Sequence, residues 1–207
     1  SWINTSGEPM REEDWNCHYN RFLGYVLNGQ NKDGKRFDDD FIVMASGNCE
    51  EMYYNDSPAS PASDGRDRSP ALAYALSNFG MPNASLNDVA VLQFDFVASG
   101  EYVKFDYVFA SEEYPSFVHS SFNDAFGFFI SGPFDDQGNP VNEGIPYQYR
   151  NIAVIPGTTE PITINTVHDQ RGCHDEYSAY HITNTNNNCQ MNAYTVALST
   201  EEFYVVP

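Results

Sequence analysis

Apolar and polar residues alternate along much of this chain with a period of two, the spacing of half-buried β-strands. Apolar side chains occupy every second position in Val91–Phe96 and again in Tyr102–Phe109. A short turn containing Gly100 separates these two segments. The pattern therefore predicts a β-hairpin over this region.

Further strands follow at regular spacing, and one segment has a helical pattern instead. In Ser69–Phe79, Pro70 stands near the start, apolar residues recur at helical spacing, and Gly80 follows. Many short strands joined by polar turns predict an all-β fold, a β-sandwich or jelly-roll-like domain with one short helix. The other predicted strands are Ala125–Ser131, Asn151–Ile155, Ile162–Val167, Ala179–Thr183 and Tyr194–Leu198.

The composition supports a folded core and suggests a division of the chain. Apolar residues make up 41% and aromatic residues 15% of the 207 residues, enough to exclude wholesale disorder. Residues 50–63 are rich in Pro, Ser, Ala and Asp and lack periodicity, as is typical of a linker. We expect a β segment over residues 1–49, this linker, and a β-sandwich over residues 64–207.

The charge of the chain excludes some partners. The formal net charge is −19, from 29 acidic and 10 basic residues. Nucleic acids and anionic lipids both require clusters of Lys and Arg, so neither is an expected partner. No run of 18 apolar residues occurs, and we expect no insertion into a membrane. The excess carboxylates fit simple solubility or the binding of Ca²⁺ through oxygen ligands.

Four cysteines indicate the compartment. An even number of cysteines in an acidic, Asn-rich, Lys-poor chain favours disulfides and a location outside the cell or at its surface. Three pairings are possible, and the spacing favours the two local ones. No C-x-x-C pair is present, which argues against a zinc site. The cysteines are Cys17, Cys49, Cys173 and Cys189.

The clearest candidate site combines Ser111-Glu112-Glu113-Tyr114 with Asn123-Asp124. Adjacent carboxylates repel one another unless a cation neutralises them, and no Lys or Arg occurs between Phe105 and Tyr149. We expect a Ca²⁺ site in which Glu112, Glu113, Asn123 and Asp124 are the ligands. The alternative is that Asn123-Asp124 forms a turn and that both glutamates are solvated.

Four tyrosines in polar surroundings are candidate ligand-binding residues. Exposed tyrosines beside Asn and Asp can stack on sugar rings and bond their hydroxyls. The alternative is that these side chains pack on the edges of the sheets. The residues are Tyr147, Tyr149, Tyr177 and Tyr180.

Motifs for catalysis are missing. The sequence has no G-x-S-x-G elbow, Walker motif or dinucleotide-binding glycine pattern. His168 and His174 flank Cys173, but their spacing fits no zinc pattern, and a structural loop is the favoured interpretation. We therefore expect no enzymatic activity.

Three motifs in order carry a family resemblance. They are Phe105–Tyr114 with Ser121–Pro133, then Asn151–Thr158, then Pro161–Asn165. Residues of about 64–205 resemble the choice-of-anchor L domain family of bacterial surface and secreted proteins. The resemblance implies an exported β-rich module that stands beside varied C-terminal anchoring or sorting signals.

The first 48 residues carry a different resemblance. Glu13-Asp14-Trp15, Leu27-Asn28-Gly29 and Asp38-Asp39-Asp40-Phe41 are similar to the C-terminal β-domain of isoamylase-type glycogen-debranching enzymes. The likeness implies a β-sandwich and, only by analogy, a link to α-glucans. The catalytic barrel of those enzymes has no counterpart here.

Three functions follow from these observations. The first is a non-catalytic extracellular module for adhesion or carbohydrate binding, stabilised by Ca²⁺, with a glycan or another surface ligand as partner. The second is a structural subunit of an extracellular fibre or surface assembly, with copies of itself as partners. The third is a non-catalytic part of an α-glucan-acting enzyme.

Overall fold

A computed structural model describes residues 23–26, 41–46, 69–78, 86–132, 134–135, 137–139, 147–170, 175–185 and 191–205. Within these residues the chain is built from short antiparallel strands, one α-helix and one 3-10 helix, which confirms the all-β fold class. The helices are α1 (Pro70–Ser77) and the 3-10 helix Asp175–Tyr180. The strands are β1 (Leu23–Val26), β2 (Phe41–Met44), β3 (Tyr102–Val103), β4 (Asp106–Tyr107), β5 (Ala110–Ser111), β6 (Ala125–Phe126), β7 (Phe129–Gly132), β8 (Tyr147–Asn151), β9 (Ile162–Thr163), β10 (His181–Thr183), β11 (Ala193–Thr195), β12 (Leu198–Ser199) and β13 (Phe203–Tyr204).

One long, interrupted antiparallel ladder forms the first layer. It joins β3, β4 and β5 to β13, β12 and β11, and β10 adds to the far side of β11. The register shifts by one residue at each of the two gaps in the ladder, as expected at β-bulges. Val103 pairs with Phe203, Tyr107 with Leu198, and Ser111 with Ala193.

Buried threonines maintain the hydrogen bonding at both gaps. The Phe105 N–H donates to Thr200 Oγ1 (3.0 Å), and the Thr200 N–H donates to the Phe105 carbonyl (2.9 Å). Phe109 and Thr195 repeat this exchange at 3.1 and 2.8 Å. A hydroxyl therefore takes the place of a backbone carbonyl at each bulge, and each of these phenylalanine N–H groups has a partner.

The second layer is formed by the segment that contains β6 and β7. This segment pairs first with β9 and then with β8. Val154 and Pro161 form a bridge between β8 and β9, and the tight turn between them includes Gly157 at a φ of 78°, a conformation that glycine adopts without a steric penalty.

The core lies between the two layers, as in a sandwich-like fold. The larger cluster combines residues of the first layer with Ile155, which lies between β8 and β9, and with residues on or after β9. Tyr114 lies within it. The smaller cluster joins Phe203 and Val205 to Ile130 and Ile152. The larger cluster comprises Phe109, Tyr114, Ile155, Ile162, Ile164, Val167, Ala193 and Leu198.

Helix α1 occurs where the sequence predicts it. Ser69 is its N-cap and accepts a hydrogen bond from the Leu72 N–H at 3.3 Å, and proline follows at the first position. The helix lies close to the connection between β6 and β7, because a Cβ added to Gly127 would stand 3.1 Å from Leu72 Cδ1.

The predicted hairpin is wrong. Residues 91–98 form no strand, and β3 pairs instead with β13 from the far end of the chain. An alternating pattern records which faces of a segment are apolar but not the identity of its partner. In the N-terminal region, β1 and β2 pair antiparallel.

Candidate functional site

Two of the four predicted metal ligands, Glu113 and Asp124, come together. The Ser111 hydroxyl donates to Asp124 Oδ2 at 2.6 Å and accepts from the Glu113 N–H at 3.0 Å. The Asp124 N–H donates to the Glu113 carboxylate. We call Ser111, Glu113 and Asp124 the carboxylate cluster.

Strand ends hold the cluster in place. Ser111 is 2% exposed and ends β5, where it pairs with Ala193. Asp124 directly precedes β6, and its carbonyl accepts from the Ile164 N–H at 3.1 Å. Because Ser111 belongs to the first layer and Asp124 to the second, the cluster joins the two layers at one end of the core.

The charged forms of the Glu113 and Asp124 carboxyl groups are disfavoured by burial and by their proximity to each other. Burial raises the pKa of Asp124 above its ordinary value, although the hydrogen bond from Ser111 opposes this change. Burial and then the charge of Asp124 raise the pKa of Glu113, and the Asp124 N–H partly offsets them. Glu113 Oε2 is buried and has no hydrogen-bond partner among the described residues. The arrangement would therefore be relieved by a bound cation.

The other two predicted ligands have different contacts. The Glu112 carbonyl accepts from Asn192 Nδ2 at 2.5 Å, and Asn123 Oδ1 accepts from the Asn165 N–H at 3.1 Å. Within the described part of the chain, no group of three or more His, Cys, Asp or Glu side chains is arranged to hold a metal ion. A cation at this cluster would therefore have two carboxylates and otherwise neutral oxygens as ligands.

The cluster closes the neck of a loop, residues 114–123, which we call the neck loop. Asn165 binds the loop from outside, since its side chain accepts from the His119 N–H (2.6 Å) and donates to the Ser120 carbonyl (3.1 Å). Phe117 and Phe122 are exposed on the loop, with ring centroids 5.6 Å apart. Neither phenylalanine is among the site residues predicted from the sequence; the signal was two phenylalanines within a polar, turn-rich segment.

A second set of polar contacts involves Tyr114, His181 and Asp169. The Tyr114 hydroxyl donates to the Val167 carbonyl at 2.5 Å, and its ring contacts that of His181 edge to face. The His181 side chain is only 4% exposed, and its Nδ1 lies 3.8 Å from Asp169 Oδ2. Burial lowers the pKa of His181, and Asp169 opposes this shift.

The four candidate tyrosines belong to two different elements. Tyr147 and Tyr149 are on β8, where only their backbone is described. Tyr177 and Tyr180 are on the 3-10 helix and pack against the larger core cluster. The Tyr177 hydroxyl donates to Glu160 Oε1 at 3.2 Å. These contacts favour a packing role for the second pair, and ligand binding by any of the four stays a prediction.

Several predictions concern other parts of the chain. All four cysteines lie outside the described residues, so the disulfides stay predictions. Among the residues that the structure describes, no helix has the length and apolar character needed to cross a membrane.

Comparison with known proteins identifies a family. The sequence model of the choice-of-anchor L domain matches residues 13–207. This range includes most of the segment over residues 1–49, whose resemblance to debranching enzymes has no support from the comparisons. Searches of curated proteins and of solved structures found no match.

Proposed function

Because the chain belongs to the choice-of-anchor L domain family of surface-associated, generally non-enzymatic modules, we propose that it is a binding module for adhesion outside the cell. We propose further that Ca²⁺ binds Glu113 and Asp124 and stabilises the neck loop between them.

The observation that carries the calcium proposal is the pair of carboxyl groups at the loop neck. Both groups are partly buried, each has a raised pKa, and Glu113 Oε2 has no hydrogen-bond partner among the described residues. The sequence offers no Lys or Arg from Phe105 to Tyr149. Ca²⁺ would supply the missing positive charge and accept neutral oxygens as its remaining ligands.

The number of carboxylates sets the expected affinity. Calcium sites become tighter as charged ligands are added, and extracellular modules typically bind with a Kd of about 10⁻⁴–10⁻³ M. A site with two carboxylates belongs at this weak end. Such a site would be filled at the calcium concentrations found outside cells and empty at those inside them.

Thermal unfolding in Ca²⁺ and in chelator tests the proposal. Ca²⁺ at about ten times its Kd should stabilise the fold by about 1.4 kcal/mol, which raises the Tm by about 3–6 °C for a chain of this length. Asp124→Asn and Glu113→Gln should abolish the response without lowering the Tm in chelator, because each removes one of the repelling charges.

Two controls make the result specific. Asp95 is exposed and lies outside the neck loop, so Asp95→Asn should respond to Ca²⁺ as the unmodified chain does. Mg²⁺ should stabilise less, because it requires a stricter octahedral geometry. The same Tm in Ca²⁺ and in chelator would contradict the calcium proposal.

A second candidate function, a subunit of a surface fibre, is favoured by residues 91–98. This segment has a strand-like pattern but forms no strand, and Val91, Phe94, Phe96 and Val97 are exposed. An unpaired segment of this type can add to the sheet of a neighbouring copy. Sedimentation velocity over a range of protein concentrations tests it: growing assemblies support this role, and a constant monomer contradicts it.

A further inference from the structure

The neck loop presents an aromatic surface that the family assignment does not explain. Phe117 is 41% and Phe122 is 63% exposed. Their rings meet edge to face, at an interplanar angle of 78°, so each stabilises the other's position while both stay accessible to solvent.

The backbone of this loop is well constrained. The Phe117 N–H donates to the Glu113 carbonyl, and the Ser120 N–H donates to the Phe117 carbonyl, both at 3.0 Å. The Ser120 hydroxyl also bonds the backbone of Phe122. With Asn165 bound from outside, the two rings are pre-organised, and less entropy would be lost when a ligand binds.

The neck loop around the rings is polar and contains no Lys or Arg. Ser116, His119 and Ser121 are exposed on the same loop, and they offer hydrogen bonds to hydroxyl groups. Because no Lys or Arg lies between Phe105 and Tyr149, the loop itself offers no lysine or arginine to a phosphate or an anionic lipid headgroup. A small aromatic surface with a neutral polar rim matches a sugar, which has apolar C–H faces and a border of hydroxyls.

We infer that Phe117 and Phe122 form a binding site for a neutral carbohydrate, in which the phenyl rings contact the C–H face of a pyranose ring and the loop hydroxyls bond the sugar hydroxyls. This inference rests on the proposed binding function and names its ligand class. Two side chains cover far less area than the roughly 800 Å² per partner of a stable protein interface, so a sugar fits better than a protein.

Affinity electrophoresis of the full chain in Ca²⁺ buffer tests the inference. The gels contain soluble α-glucan, β-glucan, mannan or galactan, and the many sites on each polymer make weak binding visible. We expect retardation in at least one gel. Phe117→Ala and Phe122→Ala should each weaken it about tenfold, and Phe122→Tyr should retain it.

Phe134→Ala is the matched control, since Phe134 is 51% exposed but lies outside the neck loop; it should bind as the unmodified chain does. Absence of retardation in every gel, or retardation unchanged in both loop variants, would overturn the inference. So would Phe122-dependent binding to phosphatidylcholine vesicles without retardation by any glycan. The calcium proposal fails separately, if Ca²⁺ leaves the Tm unchanged while the glycan gels still retard the chain.

Discussion

At the scale of single residues, Thr195 and Thr200 decide whether the long ladder of the first layer can form. Both are almost fully buried, at 1% and 4% exposure. Each hydroxyl accepts the backbone N–H of a phenylalanine where the register shifts. A buried N–H without a partner costs about 1–3 kcal/mol, so these hydroxyls are required by the bulges beside them.

Thr195→Val should therefore lower the free energy of unfolding by about 1–3 kcal/mol. Valine keeps the shape of threonine but leaves the Phe109 N–H unpaired. Urea denaturation measures the change, and Thr185→Val, at an exposed position, should shift the stability by less than about 0.5 kcal/mol. Equal stability of the two variants would show that the hydroxyl is not needed at the bulge.

The buried imidazole of His181 predicts a pH dependence. Burial lowers its pKa in the folded chain, so the unfolded chain binds this proton more readily. Stability should therefore be lost as the pH falls from about 7.5 to about 5.5, through the ordinary range of histidine. The groups identified around the imidazole are Tyr114 and Asp169.

Denaturation at several pH values checks this prediction. As the pH falls, the free energy of unfolding of His181→Gln should decrease less than that of the unmodified chain. His119→Asn, at an exposed position, should show the same decrease as the unmodified chain. An identical pH slope in His181→Gln and the unmodified chain would assign the effect to other groups.

At the scale of elements, α1 approaches the second layer at Gly127. A Cβ there would lie 2.6 Å from Phe129 Cε2 as well as 3.1 Å from Leu72 Cδ1. The first contact requires the Phe129 ring to move, and the second requires the end of the Leu72 side chain to shift by a few tenths of an ångström. Glycine at this position is thus what lets the helix lie close to the connection between β6 and β7.

Gly127→Ala should destabilise the fold by about 1–3 kcal/mol, the usual cost of overpacking. Gly100→Ala is the control, because nothing lies within 4 Å of the position that its Cβ would occupy, and it should be nearly neutral. Chemical denaturation compares the two variants, and a neutral Gly127→Ala would mean that the Leu72 contact is loose.

Elements differ in how far the sequence predicts them. The capping Ser69 and the following proline are local signals, so the sequence predicts α1 to within two residues at each end. It does not predict the partner of β3, because Val103 pairs with a residue 100 positions away and no local pattern encodes such a contact. Residues 91–98 have the alternating pattern of a strand but form none. Periodicity alone cannot distinguish such a segment from a paired strand.

At the scale of the whole molecule, the two layers share both their core and the candidate site. The chain order separates Ser111, Asp124 and Asn165, yet the ladder and the β6–β9 pair bring them to one end of the sandwich. The sequence shows that no Lys or Arg lies between Phe105 and Tyr149, so Glu113 and Asp124 could be predicted as candidate ligands. The role of Asn165 could not, since it depends on long-range pairing.

The net charge of −19 acts on the molecule as a whole. It favours solubility and disfavours self-association through simple contact of like-charged surfaces. A cation bound between the partly buried carboxylates of Glu113 and Asp124 would relieve a repulsion that salt screens poorly. Repulsion between exposed carboxylates is already screened by salt. This difference is why the response to Ca²⁺ should depend on Asp124 and Glu113 and not on the total charge.

Calorimetric titration of the full chain with Ca²⁺ measures whether the carboxylate cluster binds calcium. We expect saturable binding with a Kd of about 10⁻⁴–10⁻³ M, which Asp124→Asn abolishes and Asp95→Asn leaves unchanged. Absence of saturable binding, or the same binding by Asp124→Asn, would contradict the calcium-stabilised neck loop.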